Sequence, residues 1–185
     1  MDQVFYFWLS VVVIFIFGSV AHFLYDWTKP NKFIGIFAAV NESTWEHIKI
    51  ALTPSFLWCF CDWFLYGQYH NYFLAKLISF IFIIVFIPAV YYSYRKIVKQ
   101  SIPLVNILIF FLVILFSQLV FYVVLNLIPV SEAFQYLPCL GILILFVCYL
   151  TFTFKPIKNF IFRDPITNRY GFKAHPNIFK SKKKK

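Results

Sequence analysis

His22 and Asp26 stand one helical turn apart, and Asn41, Glu42, Glu46 and His47 follow within a second short stretch. Residues four apart share a helical face. Imidazole nitrogens and carboxylate oxygens suit a divalent metal such as Zn²⁺ or Fe²⁺, and the same groups can transfer a proton. The spacing alone specifies neither chemistry. A zinc-protease helix carries His-Glu-x-x-His or His-x-x-Glu-His, and position 43 is Ser where the second pattern demands His, so metalloprotease chemistry is disfavoured.

A structural reading competes for the same residues. Ser43-Thr44-Trp45-Glu46 fits a capping box, with Ser43 capping a helix and Glu46 reaching back to its backbone. Carboxylates near a helix N-terminus also favour its dipole. His22 with Asp26 can serve as a hydrogen-bonded pair that anchors its helix at an interface.

The elements that position these groups follow from composition. The chain has 185 residues, 62% hydrophobic and 13% charged, with 26 Phe and 12 Tyr, whereas soluble domains are about 25% charged. Apolar runs extend from Val4 to Trp27, Ser43 to Tyr66, Tyr72 to Tyr94, Ile102 to Leu127 and Tyr136 to Phe154. Each is long enough to cross a hydrocarbon layer of about 30 Å. The first lacks the basic flank and short core of a cleavable signal, so a retained helix is expected. The expected fold is all-α, a polytopic transmembrane helical bundle of about five spans, with one membrane domain over 1–160 and a basic tail over 161–185.

Lys and Arg mark the sides. They fall at Lys29 and Lys32, at Arg95, Lys96 and Lys99, and throughout the segment after the fifth run, which makes those three regions cytoplasmic by the positive-inside rule. The other ends carry Asp2, the Gly67 to Asn71 turn and the Ser131-Glu132 loop, without a basic residue. The N-terminus is therefore expected outside and the C-terminus inside. Trp58, Trp63 and Tyr66 then form an outer aromatic girdle, and Trp27, Trp45, Tyr91, Tyr92 and Tyr94 an inner one.

Other polar residues carry less. Cys59, Cys61, Cys139 and Cys148 lie inside apolar runs and read as small membrane residues. Asn106, Ser117 and Gln118 suit hydrogen bonds between helices. Asp62 and His70 are placed near the outer edge, where solvation is available. Pro54 suggests a kink in the second span, with Thr53 helping to satisfy the freed backbone.

Three motifs carry a resemblance: HFLYDW over His22 to Trp27, VNESTWEHIK over Val40 to Lys49, and FRDPITNRYGF over Phe162 to Phe172. Together they resemble a family of small bacterial membrane proteins catalogued only as a domain of unknown function. The resemblance implies a bacterial plasma-membrane protein that crosses the bilayer several times, and it implies no activity. It picks out Asn41, Glu42, Ser43, Trp45, Glu46, His47, Pro54, Asp164, Pro165, Thr167, Tyr170 and Gly171. The stretch after Gly171 departs from the family pattern. Asp164-Pro165-Ile166-Thr167 reads as a turn, with Gly171 allowing another reversal. On the cytoplasmic side, Asp164 and Tyr170 could fold back over His22, Asp26 and Glu46 as a cap.

Seven residues thus form a candidate polar or metal cluster: His22, Asp26, Asn41, Glu42, Glu46, His47 and Asp164, with Tyr170 a further candidate. A divalent metal is the one cofactor they suggest. The lipid bilayer is the expected partner, with anionic headgroups held by the basic tail and a homo-oligomer possible. Nucleic acid is not expected, because no recognition module accompanies the lysines. Three functions stay open: a non-catalytic structural or accessory membrane protein, placed first; a metal-dependent enzyme acting on a lipid or membrane-associated substrate; and a transporter of a small solute or ion.

Overall fold

The computed structural model describes residues 3–28, 31–127, 129, 131 and 134–175. Asp2, Lys29, Glu132 and the run Lys182 to Lys185 lie outside the described residues, so the headgroup role expected of those lysines does too. The helices are α1 (Gln3–Trp27), a single turn α2 (Ile34–Phe37), α3 (Thr44–Tyr66), α4 (Tyr72–Val98), α5 (Pro103–Leu125) and α6 (Tyr136–Phe154). A 3₁₀ turn, Gly171–Ala174, closes the described chain. Among the described residues, all of these helices but α2 are long and apolar enough to cross a membrane, five in all.

Their boundaries follow local chemistry. Pro103 stands at the first turn of α5, where its missing N–H costs nothing. At the other end of the preceding loop, Lys99 adopts the left-handed conformation that ends α4, φ 62°, and donates its N–H to Arg95 O. Tyr94 marks the expected end of that span, and the helix runs one turn further.

The packing joins α1 to α3 and α5, and α4 to α3, α5 and α6. α1, α3, α4 and α5 form a ring around a core that includes Ile14, Leu52, Ile83 and Ile114. α6 leans on α4 from outside the ring. Many large apolar side chains, such as Phe17, Phe60, Phe64 and Leu104, point outward, as a lipid-facing surface requires.

α1 and α3 approach each other where a backbone group is released. Pro54 has no N–H for Ile50 O to accept, and Ile50 O lies where a Cβ on Gly18 would fall at 2.8 Å, with Phe110 Cζ at 2.7 Å from the same point. Only a residue without a side chain fits there. The expectation for Thr53 needs correction: its hydroxyl donates to Lys49 O at 2.8 Å, one carbonyl away from the group that Pro54 releases.

Candidate functional site

The segment that leads into α3 runs beneath the end of α1, and its polar groups are consumed locally. Ala39 N–H donates to Ala21 O at 3.1 Å. Asn41 Oδ1 accepts Ser43 N–H at 2.8 Å, while Asn41 Nδ2 donates to Gly171 O at 3.1 Å. Ser43 is the residue before the first helical turn, but its hydroxyl makes no capping bond. Glu46 does not reach back to Ser43 either. Its carboxylate accepts Val40 N–H at 3.0 Å and meets Lys49 Nζ at 2.5 Å. The capping box is therefore replaced by a buried ion pair, because Lys49 lies one turn on, is wholly buried, and needs an anion there. Lys49 Nζ also donates to Gly35 O at 2.8 Å.

With Glu46 turned inward, Glu42 faces the histidines. Glu42 Oε2 lies 3.8 Å from His22 Nε2 and 4.0 Å from His47 Nε2, and one ligand atom from each of the three residues falls within 4.8 Å of the others. Side-chain exposures of 26%, 28% and 44% for His22, His47 and Glu42 leave the group accessible. His47 Nδ1 lies 3.0 Å from Ser43 O. A carbonyl oxygen only accepts, so Nδ1 carries a proton, and Nε2 is the nitrogen turned toward Glu42 and His22. That arrangement is how metal-binding histidines are oriented in general. His22 Nδ1 is buried without a hydrogen-bond partner among the described residues.

Two histidines and one carboxylate form the donor set of several catalytic Zn²⁺ and Fe²⁺ sites. Zinc bonds of about 2.0–2.1 Å at tetrahedral angles put ligand atoms about 3.4 Å apart. The two Glu42 spacings are wider by about half an ångström and the His22–His47 spacing by up to about 1.4 Å, a gap that rotation of these partly exposed side chains would have to close. Ligands on α1, on α3 and in the loop between them would tie two spans together.

His22 and Asp26 share a helical face but do not pair. Asp26 Oδ1 accepts a hydrogen bond from His175 Nε2 at 3.0 Å, because the chain after α6 folds back under α1. That return is built by the DPIT turn. Asp164 Oδ1 accepts Glu42 N–H at 3.0 Å, and Asp164 Oδ2 accepts the N–H and the hydroxyl of Thr167 at 2.6 and 2.5 Å. Asn168 and Gly171 take the positive φ angles, 57° and 53°, that turn the chain twice. Trp45 N–H donates to Ile161 O at 3.0 Å, and the Trp45 and Phe162 rings stack at 4.9 Å. Residues 161–175 thus lie across the ends of α1 and α3. Asp164 touches the triad through the Glu42 backbone, whereas Tyr170 packs against the core and takes no part in it.

A cavity of about 310 Å³ opens beside the triad. Glu42, His47, Arg95 and Asn106 line it with Ile109 and Phe110, and Pro165 and Ile166 of the returning segment complete the wall. A second, shallower cavity shares Glu42, Thr44, Tyr91, Arg95 and Pro165 with the first and adds Lys96 and Arg163. Asn106 also bonds Tyr94 and Ser101, at 2.6 and 2.9 Å, and so fastens the α4–α5 turn.

The opposite end of the bundle holds a second buried ion pair, Asp62 with Lys76. Asp62 is 1% exposed, not solvated at an outer edge, because α4 brings Lys76 against it and the Lys76 ammonium also sits over the Phe121 ring at 3.7 Å. Sequence reasoning passed over Lys49 and Lys76. Each is a lone cation inside an apolar run, and each required an acid near it; Glu46, one turn from Lys49, was the legible partner.

Neither a curated protein nor a solved structure matches the chain. A family model does, over residues 2–172, which takes in all three motifs and the returning segment through Phe172. This five-span helical chain belongs to a family of unknown function, DUF6512.

Proposed function

We propose that the protein is a metal-dependent membrane enzyme acting on a lipid or membrane-associated substrate, at the surface expected to face the cytosol of a bacterial plasma membrane. One observation carries this reading: His22, Glu42 and His47 converge within 4.8 Å, with Glu42 and His47 in the wall of a cavity. Three protein ligands leave coordination positions for a substrate oxygen, which a bound metal polarises as a Lewis acid. His47 supplies an oriented Nε2, Asp164 holds the Glu42 backbone, and the returning segment covers the cavity.

The test is elemental mass spectrometry of the detergent-purified protein prepared without chelator, beside His22→Ala, His47→Ala and Glu42→Gln. Stoichiometric metal in the wild type, lost in each variant while helix content holds, is the expected result. Folded wild type that takes up no added Zn²⁺ or Fe²⁺ overturns it.

A structural or accessory role is the second reading. It is supported by Asn41, Glu46 and Asp164, whose polar atoms bond inward to the chain itself. The two readings divide the candidate residues between them, so variants of each group separate them.

A further inference from the structure

We propose that the cavity beside the triad binds the phosphate of an amphiphile, with the phosphate between Arg95 and the metal and the apolar chain over Ile87, Ile109 and Phe110. The inference rests on the metal reading above and names its ligand class. Arg95 lines both adjoining cavities, is half-buried, and pairs with no carboxylate among the described residues. A guanidinium held in that state is a fork-shaped donor set that matches phosphate oxygens. Lys96 and Arg163 line the shallower cavity with Arg95 and Glu42, so three cations meet one carboxylate there, and the resulting field attracts anions.

The wall changes character along its length. Arg95, Ser101 and Asn106 lie at or beside the α4–α5 turn, while Ile87, Ile109 and Phe110 sit further along the same helices, inside the apolar spans. A ligand that fits is charged at one end and apolar at the other. The volume, at the lower end for ligand pockets, suits a phosphate and the first part of a chain.

The metal sets the sign only at the triad end of the cavity, away from Lys96 and Arg163. Without it, the Glu42 carboxylate repels a phosphate in the same cavity. A divalent ion held by Glu42 and two neutral imidazoles turns that group from net negative to net positive. Phosphate binding is therefore tighter with the metal bound than without it.

Lysophosphatidate is the probe, titrated into the detergent-solubilised full chain with and without Zn²⁺, beside the matching monoacylglycerol, which lacks the phosphate, and glycerol 3-phosphate. Zinc loading is measured separately, so failure of the metal reading shows first as absent loading. The expected result is lysophosphatidate binding at least tenfold tighter with zinc, and at least tenfold tighter than either other probe. Arg95→Gln is expected to load zinc normally and lose that tenfold, with Arg95→Lys intermediate. In zinc-loaded protein, equal binding of monoacylglycerol, or wild-type lysophosphatidate affinity in Arg95→Gln, overturns the phosphate assignment. Equal binding of glycerol 3-phosphate overturns the amphiphile and leaves a soluble phosphate as the ligand.

Discussion

Asp164 Oδ1 accepts the backbone N–H of Glu42 at 3.0 Å across 122 residues of sequence. The bond joins the DPIT turn to the stretch that leads into α3 and fixes the residue that stands between the two histidines in sequence. Asp164 is buried and spends its other oxygen on Thr167, so it is a positioning group.

Asp164→Ala is accordingly expected to weaken zinc binding by about 10–100-fold, the usual effect of removing an outer partner of a metal site. Asp164→Asn keeps an acceptor for Glu42 but turns an amide toward the two donors of Thr167, and should fall between. Competition titration with a chromophoric zinc chelator reads the affinity, and circular dichroism checks that the helices persist. Unchanged affinity in folded Asp164→Ala would show that Glu42 holds its place without the bond.

The Glu46–Lys49 pair makes a separate prediction about stability. Removing one member of a buried pair leaves an uncompensated charge and costs about 3–5 kcal/mol. Glu46→Gln and Lys49→Met should each lower the unfolding midpoint sharply. The double variant should cost well under the sum, because no charge is left unpaired and the amide oxygen introduced at position 46 can still accept Val40 N–H. Thermal unfolding of the four proteins in one detergent closes the cycle; additive losses would mean that the two side chains do not depend on each other.

Much of the scaffold was legible because hydropathy reports burial in lipid directly. The run from Tyr136 to Phe154 coincides with α6, and Ile102 and Ser43 prove to be the residues just before α5 and α3. The candidate site was legible only as a neighbourhood. Helical spacing put Asp26 with His22 and Glu46 with Glu42, but Glu42 precedes the helix, so periodicity says nothing about its direction. Glu46 was claimed by Lys49, and Asp26 by His175, which follows it by 149 residues. Spacing cannot report such distant partners. The turn residues Asp164, Asn168 and Gly171 bring the last segment back, and the DPIT pattern was the signal that a reversal occurs there.

Acidification should release the metal. Protons compete with it for the Nε2 atoms of His22 and His47, because histidine binds a metal through the neutral ring. Apparent zinc affinity therefore falls as pH falls, by roughly tenfold or more from pH 8 to pH 5. The phosphate probe should follow the metal, losing affinity over the same interval in protein at limiting zinc. A flat zinc affinity from pH 8 to 5 would exclude two histidine ligands.

The returning segment is held at its far end by His175, whose ring meets the Tyr25 ring at 4.8 Å while Nε2 bonds Asp26. Between that clasp and the DPIT turn, Phe172 packs where a side chain on Gly35 would stand. His175→Ala and Gly35→Ala attack the same docking from two sides, the first by removing a bond and the second by filling space. Both should expose residues 161–175 to protease while the five long helices stay protected, and both should lower zinc affinity by loosening Asp164 from Glu42. Gly35→Ala should have the larger effect, because a Cβ there displaces Phe172 outright, whereas loss of His175 leaves the Trp45–Phe162 stack intact. Limited proteolysis with intact-mass readout orders the two variants. Equal protection in Gly35→Ala and wild type would mean that Phe172 finds another seat and that the segment does not depend on this contact.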